Sequence, residues 1–177
     1  WFRPVDVQMG PDGALYILDY YNRIIGHYEV PLTHPGRDRT SGRIWRVTYT
    51  KNSPKVPAAV DLTQLTAAEL LEACNHPVIA QRLLALHQLS DVVYPQQTEA
   101  VQQLWRDDLA PRSLIALAWT LARHDALAAD KLAKLAAHDQ SEVRTHAMRI
   151  AGFLGKKQQD SSIPLVSKGI GDTDGHV

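Results

Sequence analysis

A single cysteine, Cys74, in 177 residues excludes an intramolecular disulfide and argues against any thiolate metal site. Formal net charge is zero, so no long-range field of one sign draws the chain to nucleic acid or to an anionic membrane. Long apolar runs are missing as well. The longest, SLIALAWTLA at 113–122, suits a buried helix and falls short of the roughly 18 residues of a membrane span. There is no CxxCH to attach a c-type haem, no HExxH, no Walker A loop, no GxGxxG and no GxSxG nucleophile elbow. No catalytic residue and no metal set is assigned from the sequence. Neither a basic n-region nor an apolar h-region opens the chain, which starts at Trp1 within a strand-like stretch; the expectation is a piece of a longer polypeptide.

What is present falls into two halves with different periods, an α+β organisation. Residues 1–50 carry strand signals: VDVQM alternates, Pro11-Asp12-Gly13 supplies a turn, and ALYILDY is rich in strand formers. Strands are predicted at 2–9, 14–20 and 42–49, the third with Ile44 and Arg46 on one face and Trp45 and Val47 on the other. Three short antiparallel strands have little core of their own and need a neighbouring sheet or helix. The segment 51–61, KNSPKVPAAVD, has two prolines and no period, and reads as a linker.

From Leu62 the spacing becomes helical, with Val143, Ala147, Met148, Ala151 and Leu154 marking one stripe. Helices come in pairs, and the second of each pair opens with an arginine: Arg82, Arg112 and Arg144, 30 and 32 residues apart. That spacing suits an α-solenoid of stacked helix pairs over 62–177, a generic helical bundle being the alternative. DTDGHV at 172–177 resembles the opening AHDQSEV, which reads as a last repeat cut short. Each arginine is expected to hold a carbonyl or an acid at the repeat junction. Trp105 and Trp119 lie on apolar stripes and are expected in the core, with Cys74 as a small buried residue. His76 and His138 precede second helices, where a cap is expected, and His87, His124 and His146 fall on polar faces or junctions.

The helical half resembles HEAT-type repeats. WFRPVDVQMGPDGALYILDYYNRIIGH and RDRTSGRIWRVT resemble the final blade of membrane-bound dehydrogenases that combine a propeller similar to soluble quinoprotein glucose and sorbosone dehydrogenases, a HEAT-like segment and often a cytochrome c domain. This sequence departs from that pattern at Tyr20, Arg23 and Ser41. The resemblance implies a β-propeller blade that packs on upstream blades, an exported or periplasmic bacterial protein, and a parent that oxidises a sugar or alcohol with pyrroloquinoline quinone (PQQ) and calcium. The catalytic base of such propellers lies in an earlier blade, so this chain alone is expected to be inactive and free of cofactor. By the same resemblance Arg3 and Asp6 stand where quinone-binding residues occur, with Val5 in place of a second arginine; the alternative is an Arg3–Asp6 ion pair that braces the first strand. The loop 19–43 holds Asp19, Asn22, His27, Glu29, His34, Arg37 and Asp38, of which Asp19, His27 and Asp38 are the substrate or loop candidates. His27 is expected to pin the loop through a backbone carbonyl. Two functions stay open: a segment of a quinoprotein-like dehydrogenase, and a non-catalytic HEAT-type module binding a protein partner or a cytochrome domain.

Overall fold

The computed structural model describes residues 1–26, 28–49, 51, 58, 60–155, 164–167 and 169–177. The linker expected at 51–61 therefore falls largely outside the described residues. The chain divides into two compact units, Trp1–Val60 with Pro77–Gln81, and Asp61–His76 with Arg82–Val177.

In the first unit, β1 (Pro4–Met9), β2 (Leu15–Asp19) and β3 (Arg43–Val47) form one antiparallel sheet in the order β1-β2-β3. The first connection is tight because its residues are chosen for it. Gly13 adopts φ 75, a region costly for side chains, and its N–H reaches the Gly10 carbonyl at 3.0 Å. Asp12 Oδ1 accepts from the Ala14 N–H at 3.1 Å, and its other oxygen takes the Arg46 guanidinium at 2.6 Å. At Gly10 a Cβ would lie 2.3 Å from the Tyr16 ring, so the turn tolerates no side chain there.

Register decides what each face of the sheet presents. Val7, Ile17 and Trp45 lie opposite one another, as do Met9, Leu15 and Val47. These six apolar side chains share one face. The other carries Asp6, Leu18 and Ile44 beside Gln8, Tyr16 and Arg46. On the apolar face Val7, Met9, Trp45 and Val47 each remain 44–49% exposed. The sheet does not close its own core.

The second unit is helical. Its first elements are a 3-10 turn (Leu62–Gln64) and α1 (Ala67–Ala73), whose Thr66 and Glu69 form a reciprocal capping box. α2 (Ile79–His87) follows, then α3 (Tyr94–Gln96), α4 (Thr98–Gln103), α5 (Pro111–Arg123), α6 (Ala129–Ala136) and α7 (Ser141–Leu154). Leu70, Leu89, Val101, Leu117, Leu121, Val143 and Ile150 are its fully buried centre. α6 and α5 both pack on α7, and α1 packs on α4 and α5. No helix among the described residues is long and apolar enough to cross a membrane.

Two local features shape the helical unit. Between α2 and α3 the chain does not break but widens into a π-helix over Gln88–Val93, with the Tyr94 N–H bonded to the Leu89 carbonyl. Pro95 explains it, because it has no N–H to continue an ordinary ladder back to Asp91. α5 ends without glycine: Asp125 takes φ 55, and the Ala126 N–H returns to the Leu121 carbonyl at 2.8 Å. That is a Schellman-type closure with aspartate in the left-handed position.

The repeated arginines sort by what they hold. Arg82 and Arg144 each send Nη1 back six residues, to the carbonyls of His76 and His138, at 2.8 and 2.9 Å. Arg144 also grips Asp172 with two bonds of 2.7 and 2.8 Å. Arg112 is exposed and stands outside this pattern. Trp105 and Trp119 are half-buried at the edge of the core rather than within it. Their indole N–H groups explain the position, since each reaches a polar partner, Asp107 and His146 respectively. Cys74 is buried, and burial pushes its thiol up to about 12. It is therefore an unreactive packing residue at neutral pH.

Candidate functional site

The chemistry-bearing residues of the first unit gather where β2 ends and the loop to β3 begins. Asp19 closes β2 and is only 3% exposed. One oxygen accepts from the N–H groups of Arg3 and Tyr21 at 2.8 and 2.9 Å; the other accepts from the Trp45 indole at 2.9 Å. A buried carboxylate is tolerated when its lone pairs are filled in this way. Burial pushes the Asp19 carboxyl upward, but those three donors and the charge of Arg43 outweigh it, and the group titrates below its ordinary value. It is an anion at neutral pH. Beside it Tyr21 has φ 43, unusual for a bulky residue, and its ring carries the Arg43 guanidinium at 3.8 Å.

Asn22, 2% exposed, is a second hub. Its Oδ1 accepts from the N–H groups of Ile24 and Asp38, its Nδ2 donates to the Asp38 carbonyl at 2.7 Å, and its own carbonyl takes Nε of Arg3. One side chain thus ties together the two ends of a loop 16 residues apart. Asp38 turns its carboxylate to the Thr40 and Ser41 N–H groups at 3.0 and 2.9 Å. Bonds from Ser41 and Thr40 hold it below the usual carboxylate range. Arg37 fills its guanidinium with the carbonyls of Pro31, Ile24, Gly26 and Val30.

Arg3 and Asp6 are not brought together. The Arg3 guanidinium lies against the Asn22 and Arg23 carbonyls, while Asp6 accepts from the Val7 N–H and the Gln8 side chain. The expected brace between them is not formed. The reason is the bulge between Pro4 and Asp6, together with carbonyl acceptors offered by the loop to Arg3 from across the sheet. Nε and Nη2 of Arg3 go to main-chain carbonyls, and Val5 stands where the resemblance puts a second cation. His27 lies outside the described residues. Among those described, no cluster of three His, Cys, Asp or Glu side chains is placed to hold a metal ion.

Two open clefts flank this loop. One, of about 530 Å³, is lined by Tyr20, Asn22, Leu32, Arg39 and Gly42; the other, of about 480 Å³, by Trp1, Tyr21, Arg23, Pro35 and Gly36, and both touch Arg37 and Asp38. Neither combines a free base with a free acid. The second unit has a cleft of about 480 Å³ beside the Arg144–Asp172 pair, with His138, Met148 and Gly169 on its walls. His138 Nδ1 accepts from the Gln140 N–H at 3.0 Å and so helps to open α7. His124, expected on a polar face or a junction, stacks on Tyr94 at 4.3 Å and donates from Nε2 to the Ser90 carbonyl at 2.9 Å.

The structural weight of Asn22 and Arg37 escapes a reading of the sequence, which sees them only as two polar residues in a dense loop. Their partners are distant in the chain or are main-chain carbonyls, which leave no side-chain pattern. No curated protein and no solved structure matches the chain. A family model does match residues 1–51: DUF7133, described as a domain of unknown function.

Proposed function

We propose that this chain is a non-catalytic assembly module: its sheet is one blade of a larger propeller of the quinoprotein-dehydrogenase type, and its helices form a HEAT-like surface for a protein partner such as a cytochrome domain. The observation that carries the reading is the apolar face of the sheet, with Val7, Met9, Trp45 and Val47 left half in water. Three strands with such a face are not stable alone, and a neighbouring sheet of the parent protein is the partner that matches their shape. The bonding of Asp19, Asn22, Arg37 and Asp38 within the loop and the sheet supports the same reading, because donors and acceptors spent there are unavailable to a substrate. In a PQQ-dependent parent the catalytic base would come from an earlier blade. An exported, periplasmic setting follows from the same family resemblance.

The test is amide hydrogen exchange at Val7, Ile17 and Trp45, in this chain and in a parent polypeptide that includes preceding blades. Docking of a second sheet slows exchange at these positions by orders of magnitude. Equal rates in the two proteins would overturn the proposal.

A further inference from the structure

The strongest feature outside the loop is a contact between two helices. Trp119 of α5 donates its indole N–H to Nδ1 of His146 on α7 at 2.9 Å, the rings meeting edge to face at 6.3 Å. Phe153, two turns further along α7, also meets the indole edge to face at 5.9 Å. An indole N–H only donates, so Nδ1 must present a lone pair. The imidazole is thereby fixed as neutral, with its proton on Nε2. Protonation would put a second N–H on Nδ1, facing the first.

We infer that the Trp119–His146 contact is a pH-sensitive latch between α5 and α7, closed while the imidazole is neutral and opened when Nδ1 takes a proton. The surroundings hold the latch closed to a lower pH than an ordinary histidine would allow. Burial disfavours the imidazolium and Arg149 repels it, while Glu142 partly compensates; the group titrates below the ordinary histidine value. Among the described residues, no other charge is aimed at it from the elements packed on α7. Of the cations on α5, Arg123 is paired with Asp91 and Arg112 is exposed. On α6, Lys131 lies over Trp105, Lys134 holds Asp107, and Asp130 lies near Lys134. In the segment that follows α7, Asp172 is committed to Arg144, and Asp174 accepts from the His176 N–H. The latch does not depend on what the helices bind, so it stands or falls apart from the assembly role proposed above.

The experiment follows the Trp119 indole N–H resonance, assigned by its loss in Trp119→Phe, as pH is lowered from about 7.5 to about 5. The expected result is a shift in step with the His146 ring titration, with faster solvent exchange of the indole proton below the midpoint. His146→Gln supplies an acceptor that cannot be protonated. In that variant the melting midpoint falls a few degrees less across the same pH interval than in the wild type. An indole resonance that stays still while His146 titrates would overturn the inference, as would an identical pH dependence in the two proteins. Should His146→Gln fail to fold, the wild-type titration alone decides.

Discussion

Leu117 sits in the middle of α5 with no exposed surface, and replacing it by aspartate tests the helical core directly. Truncating a fully buried leucine costs about 3–5 kcal/mol, from lost transfer energy and the cavity left behind. A carboxylate at the same place meets apolar neighbours, among them Leu114 and Leu121 one turn to either side. It stays neutral only if its pKa rises by about 3 units, which adds about 4 kcal/mol at neutral pH. The sum, about 7–9 kcal/mol, matches the whole stability of an ordinary domain, about 5–15 kcal/mol. Leu117→Asp should therefore abolish most of the helical signal in far-ultraviolet circular dichroism. Leu117→Ala, which carries only the cavity cost, should still fold but melt roughly 10–15 °C lower. Leu83→Asp makes the same chemical change at a position 49% exposed and should cost about 1 kcal/mol or less. A Leu117→Asp protein with wild-type helicity and a midpoint within a few degrees of wild type would refute the placement of α5 at the centre of the core.

Adding PQQ with calcium should change neither the absorption spectrum nor the melting temperature of this chain, because Arg3 is committed to the Asn22 and Arg23 carbonyls; a rise of several degrees would contradict that. Asp172 is held at about 2 by the Arg144 guanidinium, below its ordinary 3.8. A depressed carboxylate contributes stability that is complete above the unfolded pKa and is lost as pH falls through the folded one. Acid titration should thus erode the second unit between about pH 4 and about pH 2, and Asp172→Asn should flatten that segment of the curve; an unchanged acid limb would show that the pair contributes nothing. In Asp19→Ala the N–H groups of Arg3 and Tyr21 and the Trp45 indole lose their common acceptor. Their hydrogen exchange should accelerate and Trp45 emission should shift, whereas wild-type exchange would deny Asp19 its role at the end of β2.

The fold could be read from local chemistry wherever local chemistry decides it. The Gly-Pro-Asp-Gly turn, the alternation of VDVQM and RIWRV, and the proline opening α5 place their elements within a residue or two of where they form. The split of Ile44 and Arg46 from Trp45 and Val47 follows from the period of a strand alone. Position could not reveal the wiring of the loop. Asp19 looks like a ligand candidate in the sequence because its three donors come from residues as far away as Arg3 and Trp45. Asp6 looks like the natural partner of Arg3 only until the bulge turns the first strand. The π-helix after α2 depends on one missing N–H at Pro95, a signal that predicts a disturbance but not its form. The Trp119–His146 contact is out of reach for another reason: it joins residues 27 apart, on helices whose rotation only packing determines.

Arg82 and Arg144 each close a short ring of their own by reaching back to a carbonyl six residues earlier. Such a ring carries its cation and the acceptor for it in the same stretch of gene. Each ring closes locally, so it does not wait for a distant part of the chain to fold. The turn before the helix is thus fixed by its own residues, and at Arg144 the distant Asp172 adds to a clamp that is already made.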